Sequence, residues 1–191
     1  WGAALVIFFC ISLVVAYNAD ELEGGEKKYT VLRLNSDQEV QSISSNRSKG
    51  VFGSRSTWWV TDQALDQHNV TMLSGKYNSG EWSGSGIIDT APGKNWYPLI
   101  VPGSIEHTEG IESGKESYWI LKRLWIPSEF KRNLILKLGE ISDRDRTYFN
   151  GKLVGKTGDW DSEHAQAYDV ERLYEIPGEL VRSGEVNIIL I

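Results

Sequence analysis

"RTYFNGKLVG", residues 146 to 155, decides the fold. Asn150-Gly151 between two runs of alternating apolar and polar residues is the strongest short-range signal for a β-hairpin with a two-residue turn. That turn needs positive φ at both central positions, which asparagine and glycine tolerate. A two-residue turn sets Phe149 opposite Lys152, Tyr148 opposite Leu153 and Thr147 opposite Val154. Alternation then gives Tyr148 and Leu153 one face, and Thr147, Phe149 and Val154 the other.

Reading outward, similar strands lie on both sides. "NLILKLGEI" (133–141) alternates, with Leu134, Leu136 and Leu138 on one face and Ile135 and Lys137 on the other. "YWILKRLWIP" (118–127) alternates and ends at a proline. "RLYEIP" (172–177) and "VNIILI" (186–191) read as two more strands, and "GELVRSGE" (178–185) between them as one helical turn closed by Gly184. Upstream, "KYTVLRL" (28–34) is a strand, and "STWWVTD" (56–62) a strand or a short turn. "NSDQEVQSISSNRSKG" (35–50) reads as a loop. Short strands with few helical periods predict an all-β, antiparallel sandwich over residues 72–191, with 20–71 as linker and a poorly assigned segment.

Residues 1–17, "WGAALVIFFCISLVVAY", carry no charge and read as an apolar leader helix within residues 1–19. Val14-Val15-Ala16 would serve as a small-residue cleavage site for a signal peptide, and an uncleaved membrane anchor is the other reading. Either predicts a secreted, periplasmic or membrane-anchored domain outside the cytoplasm, touching membrane only through this segment. The single cysteine, Cys10, lies in it, so no disulfide within the body is expected and zinc sites built on cysteine are excluded. The sequons at Asn46 and Asn69 would matter only in a eukaryotic secretory pathway. A net charge of −6, with Lys and Arg scattered among acids, argues against nucleic acid as a partner. The sequence runs out inside an apolar strand, which predicts a longer parent protein with an attached downstream domain.

The order of these pieces resembles the N-terminal sugar-binding, jelly-roll domain of glycoside hydrolase family 2 enzymes, a galactose-binding-like sandwich. It is similar also to the related module of sialate O-acetylesterases. The matching stretches are Trp96 with "LIVPGSIE" (99–106), "SYWILKRLWIP" (117–127) and "LKLGEISDRDRTYFNGKLVGKTGDW" (136–160). "YDVERLYEIPGELV" (168–181) and "GEVNIILI" (184–191) complete the series. The family's Tyr-Asp-Gly-type turn is replaced by "GIESGKES" (110–117). The resemblance implies a non-catalytic module that binds or positions a carbohydrate, since the hydrolase carboxylates and the esterase nucleophile lie in other domains.

Two loops are the expected contacts. In the first, the carboxylates of Asp143 and Asp145 would accept sugar hydroxyls while Arg144 donates, although a turn with local ion pairing accounts for the same residues. In the second, Trp160 offers a flat face for a pyranose ring, with Asp159, Asp161, Glu163 and His164 around it. No cofactor is expected; the oxygen-rich 158–164 loop would admit a structural calcium, though without EF-hand spacing. Trp96, Trp119 and Trp125 read as core packing. Nothing orders Asp143 and Asp145 across a substrate as a glycosidase pair, and Ser104 lacks a nucleophile elbow. Three other roles fit the chain: part of a glycoside hydrolase or sialate O-acetylesterase, a sensory module of a membrane-anchored signalling protein, or a sandwich without a ligand.

Overall fold

A computed structural model describes residues 11–16, 29–33, 57–76, 82–83, 86–87, 90–101, 103–126, 128, 133–142, 144–159, 161, 167 and 170–191. For 11–16, 29–33, 75–76, 82–83 and 86–87 it describes the backbone alone. Among the described residues twelve strands run in chain order: β1 (Ile11–Ala16), β2 (Tyr29–Arg33), β3 (Trp58–Thr61), β4 (Trp82–Ser83), β5 (Gly86–Ile87) and β6 (Tyr97–Leu99). They continue with β7 (Trp119–Ile126), β8 (Leu134–Glu140), β9 (Asp145–Phe149), β10 (Lys152–Thr157), β11 (Glu171–Ile176) and β12 (Glu185–Leu190). The helix α1 (Gln67–Lys76) follows β3, and Ile105–His107 and Gly178–Leu180 form 3₁₀ turns.

The strands form an antiparallel sandwich. One sheet has the order β11-β8-β1-β2, the other β10-β9-β12-β7-β3-β6, and β4 pairs β5 as a separate ribbon. Between the two large sheets lies the main core. Trp58, Val60, Ile120, Leu124, Ile126, Phe149 and Ile189 come from the six-stranded sheet, and Leu134, Leu136, Leu138, Tyr174 and Ile176 from the other. Alternation decides who enters it. Even-numbered residues of β7 point inward, and Lys122, on that parity, is buried with its ammonium 5.1 Å from the centre of the Trp58 ring.

A second core forms on the other face of the six-stranded sheet, where Leu121, Tyr148, Val186, Ile188 and Leu190 meet Val70 of α1. Trp59, Trp96, Trp119 and Trp125 pack half-buried against it. The six-stranded sheet is therefore covered on both faces, which is why β12 is buried at every position from Val186 to Leu190 rather than at alternate ones.

Three expectations change. The part of the apolar leader that is described, Ile11–Ala16, is strand β1 rather than helix, paired with β2 and β8. Its β-branched Ile11, Val14 and Val15 suit a strand whose backbone groups are bonded on both sides. Residues 1–10 lie outside the described residues. Because β1, β2 and β3 belong to the large sheets, the sandwich draws on the chain well before residue 72. In the hairpin, Phe149 faces Lys152 and Tyr148 faces Leu153 as the turn requires, but Thr147 faces Gly155 across a bulge rather than Val154. Among the described residues no helix is long and apolar enough to cross a membrane.

Candidate functional site

At one end of the sandwich, where β7 and β9 begin, a cleft of about 600 Å³ opens. That is the size of a small-molecule site. Its lining comes from separated segments of the chain. Asp66, Gln67 and Val70 belong to the start of α1, and Lys115 to Ile120 lead into β7. Ile141, Ser142 and Arg144 to Arg146 lead into β9, with Tyr148 beyond them. Buried Ile105, Ile120 and Ile141 connect it to the main core.

Each wall has a local cause. Asp66 caps α1: its carboxylate accepts the Asn69 N–H at 2.7 Å, and the Asn69 side-chain oxygen accepts the Asp66 N–H at 3.1 Å. This reciprocal pair is a capping box with asparagine in the third helical position. The 111–118 loop is tied to the end of β3, where the Glu112 N–H donates to Asp62 Oδ2 at 3.1 Å. The Gln63 side-chain amide and the Glu112 N–H hold the Asp62 carboxyl below its ordinary range. Within the loop the Tyr118 hydroxyl donates to the Glu112 carbonyl at 3.1 Å and accepts the Lys115 N–H at 3.2 Å. Lys115 Nζ lies 2.7 Å from Glu112 Oε2, and that carboxylate raises the lysine above its ordinary range. Trp119 tilts against Tyr148, ring centres 6.0 Å apart.

The expected site residues separate. Arg144 lines the cleft, exposed, and donates to the Asp159 carbonyl at 3.1 Å. Asp145 borders the cleft but is buried, and its carboxylate is engaged by the sandwich itself. Its Oδ1 accepts Arg172 Nε at 3.0 Å, and its Oδ2 accepts the Tyr174 hydroxyl at 2.7 Å and the Thr147 hydroxyl at 2.9 Å. Arg172 also donates to the carbonyls of Ile141, at 2.7 Å, and of Val170. A buried carboxylate needs such partners, and strand alternation sends Asp145 inward where they wait. Asp159 and Asp161 are exposed and form an Asx turn, the Asp161 N–H donating to Asp159 Oδ1 at 2.9 Å; neither lines the cleft. Asp143, Trp160 and His164 lie outside the described residues. Among the described residues no three His, Cys, Asp or Glu side chains converge as metal ligands.

Sequence reasoning missed Tyr118, Trp119, Tyr148, Arg146 and the α1 rim. Trp119 and Tyr148 carried only a strand signal, and their convergence with α1 has no trace in local spacing. The helix had a trace in Asp66 with Asn69 three residues on.

No protein-family model matches the chain, and no curated protein matches it. Among solved structures the chain is similar to β-glucuronidase from Ruminococcus gnavus. One such structure, in complex with uronic deoxynojirimycin, is 17% identical with a TM-score of 0.43, covering 77% of this chain and 22% of that one. Another is 16% identical with a TM-score of 0.44, covering 76% of this chain and 21% of that one. These matches do not bear on the sialate O-acetylesterase module. The antiparallel sandwich rests on the chain's own strand pairing, and the chain spans about a fifth of the length of those enzymes.

Proposed function

We propose that the chain is a non-catalytic module that binds or positions a carbohydrate for a larger protein, with the ligand seated in the cleft at the β7–β9 end. What supports this reading is the lining. Trp119, Tyr118 and Tyr148 supply aromatic surface, while Gln67, Ser117, Ser142, Glu116 and Arg144 supply hydrogen-bonding groups around it. A sugar has an apolar C–H face and a rim of hydroxyls, so it needs both kinds of surface at once. Two of the three lining carboxylates already have structural work, Asp66 in the helix cap and Asp145 in the Arg172 pair, so a paired-acid mechanism has little to draw on.

Titration of the chain with neutral and charged mono- and oligosaccharides, followed by tryptophan fluorescence and calorimetry, tests this. One such site should bind in the millimolar to micromolar range, or about −4 to −8 kcal/mol. Trp119→Ala should weaken binding about tenfold or more, with thermal unfolding recorded in parallel to separate lost contact from lost fold. Binding that survives Trp119→Ala but vanishes in Trp160→Ala would move the site to the 158–164 loop.

Attachment to a catalytic domain and a place outside the cytoplasm belong to the same reading. The parent gene beyond residue 191, and cell fractionation of the full-length product, test those parts.

A further inference from the structure

The turn that closes the β9–β10 hairpin carries a chemical hazard. Asn150 is the only asparagine in the sequence that glycine follows. No side chain shields the glycine nitrogen, so it can attack the amide carbon of the residue before it. Attack joins the Gly151 nitrogen to Asn150 Cγ and breaks the Cγ–Nδ2 bond. Ammonia leaves, taking up the proton of the Gly151 N–H. Water then opens the five-membered imide at either carbonyl, which leaves an aspartate or an isoaspartyl link with one extra backbone methylene.

The folded chain opposes the first step. Asn150 Nδ2 donates both its hydrogens, to the Leu180 carbonyl and to Asn187 Oδ1, each at 2.8 Å, and Asn150 Oδ1 accepts the Ile188 N–H at 2.9 Å. For Cγ to swing onto the Gly151 nitrogen, all three bonds must break. The backbone is held as well. The Asn150 N–H donates to the Ile188 carbonyl at 2.9 Å, and a Cβ on Gly151 would lie 3.2 Å from Ser74 Oγ, so α1 packs on the turn. These partners lie in α1, in the 3₁₀ turn at Gly178–Leu180 and in β12, all of which the turn leaves when the hairpin undocks.

The same contacts reject the product. A carboxylate has no donor, yet the place of Nδ2 faces two oxygens. Asn187 cannot turn its amide to compensate. It is fully buried, its Nδ2 donates to the carbonyls of Arg182 and Glu185 at 2.8 and 3.1 Å, and its Oδ1 accepts the Arg182 N–H at 2.9 Å. Turned round, it would set like against like at all three. An isoaspartyl link fares no better, because it lengthens a turn whose register sets Phe149 opposite both Lys152 and Ile189. We infer that Asn150 is a fold-gated deamidation site: it reacts when the hairpin leaves β12, and the carboxylate it acquires keeps the hairpin from docking again.

Incubation of the full chain at mildly alkaline pH tests the first half, folded in buffer and unfolded in guanidinium chloride. Trypsin cuts after Arg146 and Lys152, so the peptide 147–152 reports the turn by mass and by chromatography of its isomers. The folded chain should convert about tenfold or more slowly than the unfolded one, because its rate follows the fraction of time the hairpin is open. Equal rates overturn the gate. The second half is read from Asn150→Asp beside Asn150→Gly, since glycine keeps the positive φ and removes the side chain without adding charge. The aspartate should have the lower urea midpoint, and failure of it alone to fold is the same result in stronger form. A midpoint at or above that of the glycine variant overturns rejection of the product. So does converted wild-type chain that regains the original midpoint after the denaturant is removed.

Discussion

Tyr174 holds its phenolic proton more tightly than a tyrosine in water. Burial is the main cause, and the Asp145 carboxylate that accepts its hydrogen bond adds to it, against the opposing pull of the Thr157 hydroxyl 2.6 Å away. The direction fixes a pH dependence. The unfolded chain releases this proton near pH 10.0, the ordinary value, while the folded chain keeps it to higher pH. Between those points the folded state binds more protons, so this contribution to stability is complete below about pH 10 and declines above it. Urea denaturation at pH 8, 9, 10 and 11 should show wild type losing its excess stability over Tyr174→Phe as pH rises. A constant difference across that range would mean the proton is not held as described. Asn150 is a second residue with several tasks. Its φ of 49° fits the turn, its side-chain amide donates to the Leu180 carbonyl and Asn187 Oδ1, each at 2.8 Å, and its Oδ1 accepts the Ile188 N–H at 2.9 Å. The turn thus anchors the hairpin to β12 as well as reversing the chain.

The β9–β10 hairpin and β11 meet through one missing side chain. A Cβ on Gly155 would lie 2.0 Å from the Tyr174 ring, so the ring can reach Asp145 and Thr157 only because that position is bare. The bulge between Leu153 and Gly155 brings this glycine, in place of Val154, opposite Thr147. Gly155→Ala should therefore cost about 1–3 kcal/mol, by displacing the ring and loosening its hydroxyl contacts. The measurement is the urea midpoint of Gly155→Ala alone and combined with Tyr174→Phe. The two losses should fall short of adding, because both substitutions disturb the same ring. Full additivity would mean that the alanine acts elsewhere.

One six-stranded sheet serves two cores, so the molecule should unfold as a unit. Ile188 and Ile189 are neighbours in β12 that enter opposite cores, one beneath α1 and one between the sheets. Replacing either by alanine should cost about 2–5 kcal/mol, and neither should split the transition. Near-ultraviolet circular dichroism and fluorescence recorded on the same samples would reveal a split as two separated midpoints. The Asn-Gly turn, the alternation of Leu134, Leu136 and Leu138, and the strand at β7 were legible in the sequence, because each is a local rule of backbone geometry acting on neighbouring residues. The same rules placed Arg144 at the mouth of β9. They could not separate Asp145 from it, since whether a carboxylate meets water or a buried arginine depends on a strand 27 residues further along the chain. They also misread Ile11–Ala16, where an apolar run satisfies a helix or a strand equally well until β8 and β2 supply partners. The cleft was invisible for the same reason. Local spacing determined which segments are strands, while the packing of distant segments decided which side chains share a surface, because that depends on sheet order and helix placement rather than on any neighbour in sequence.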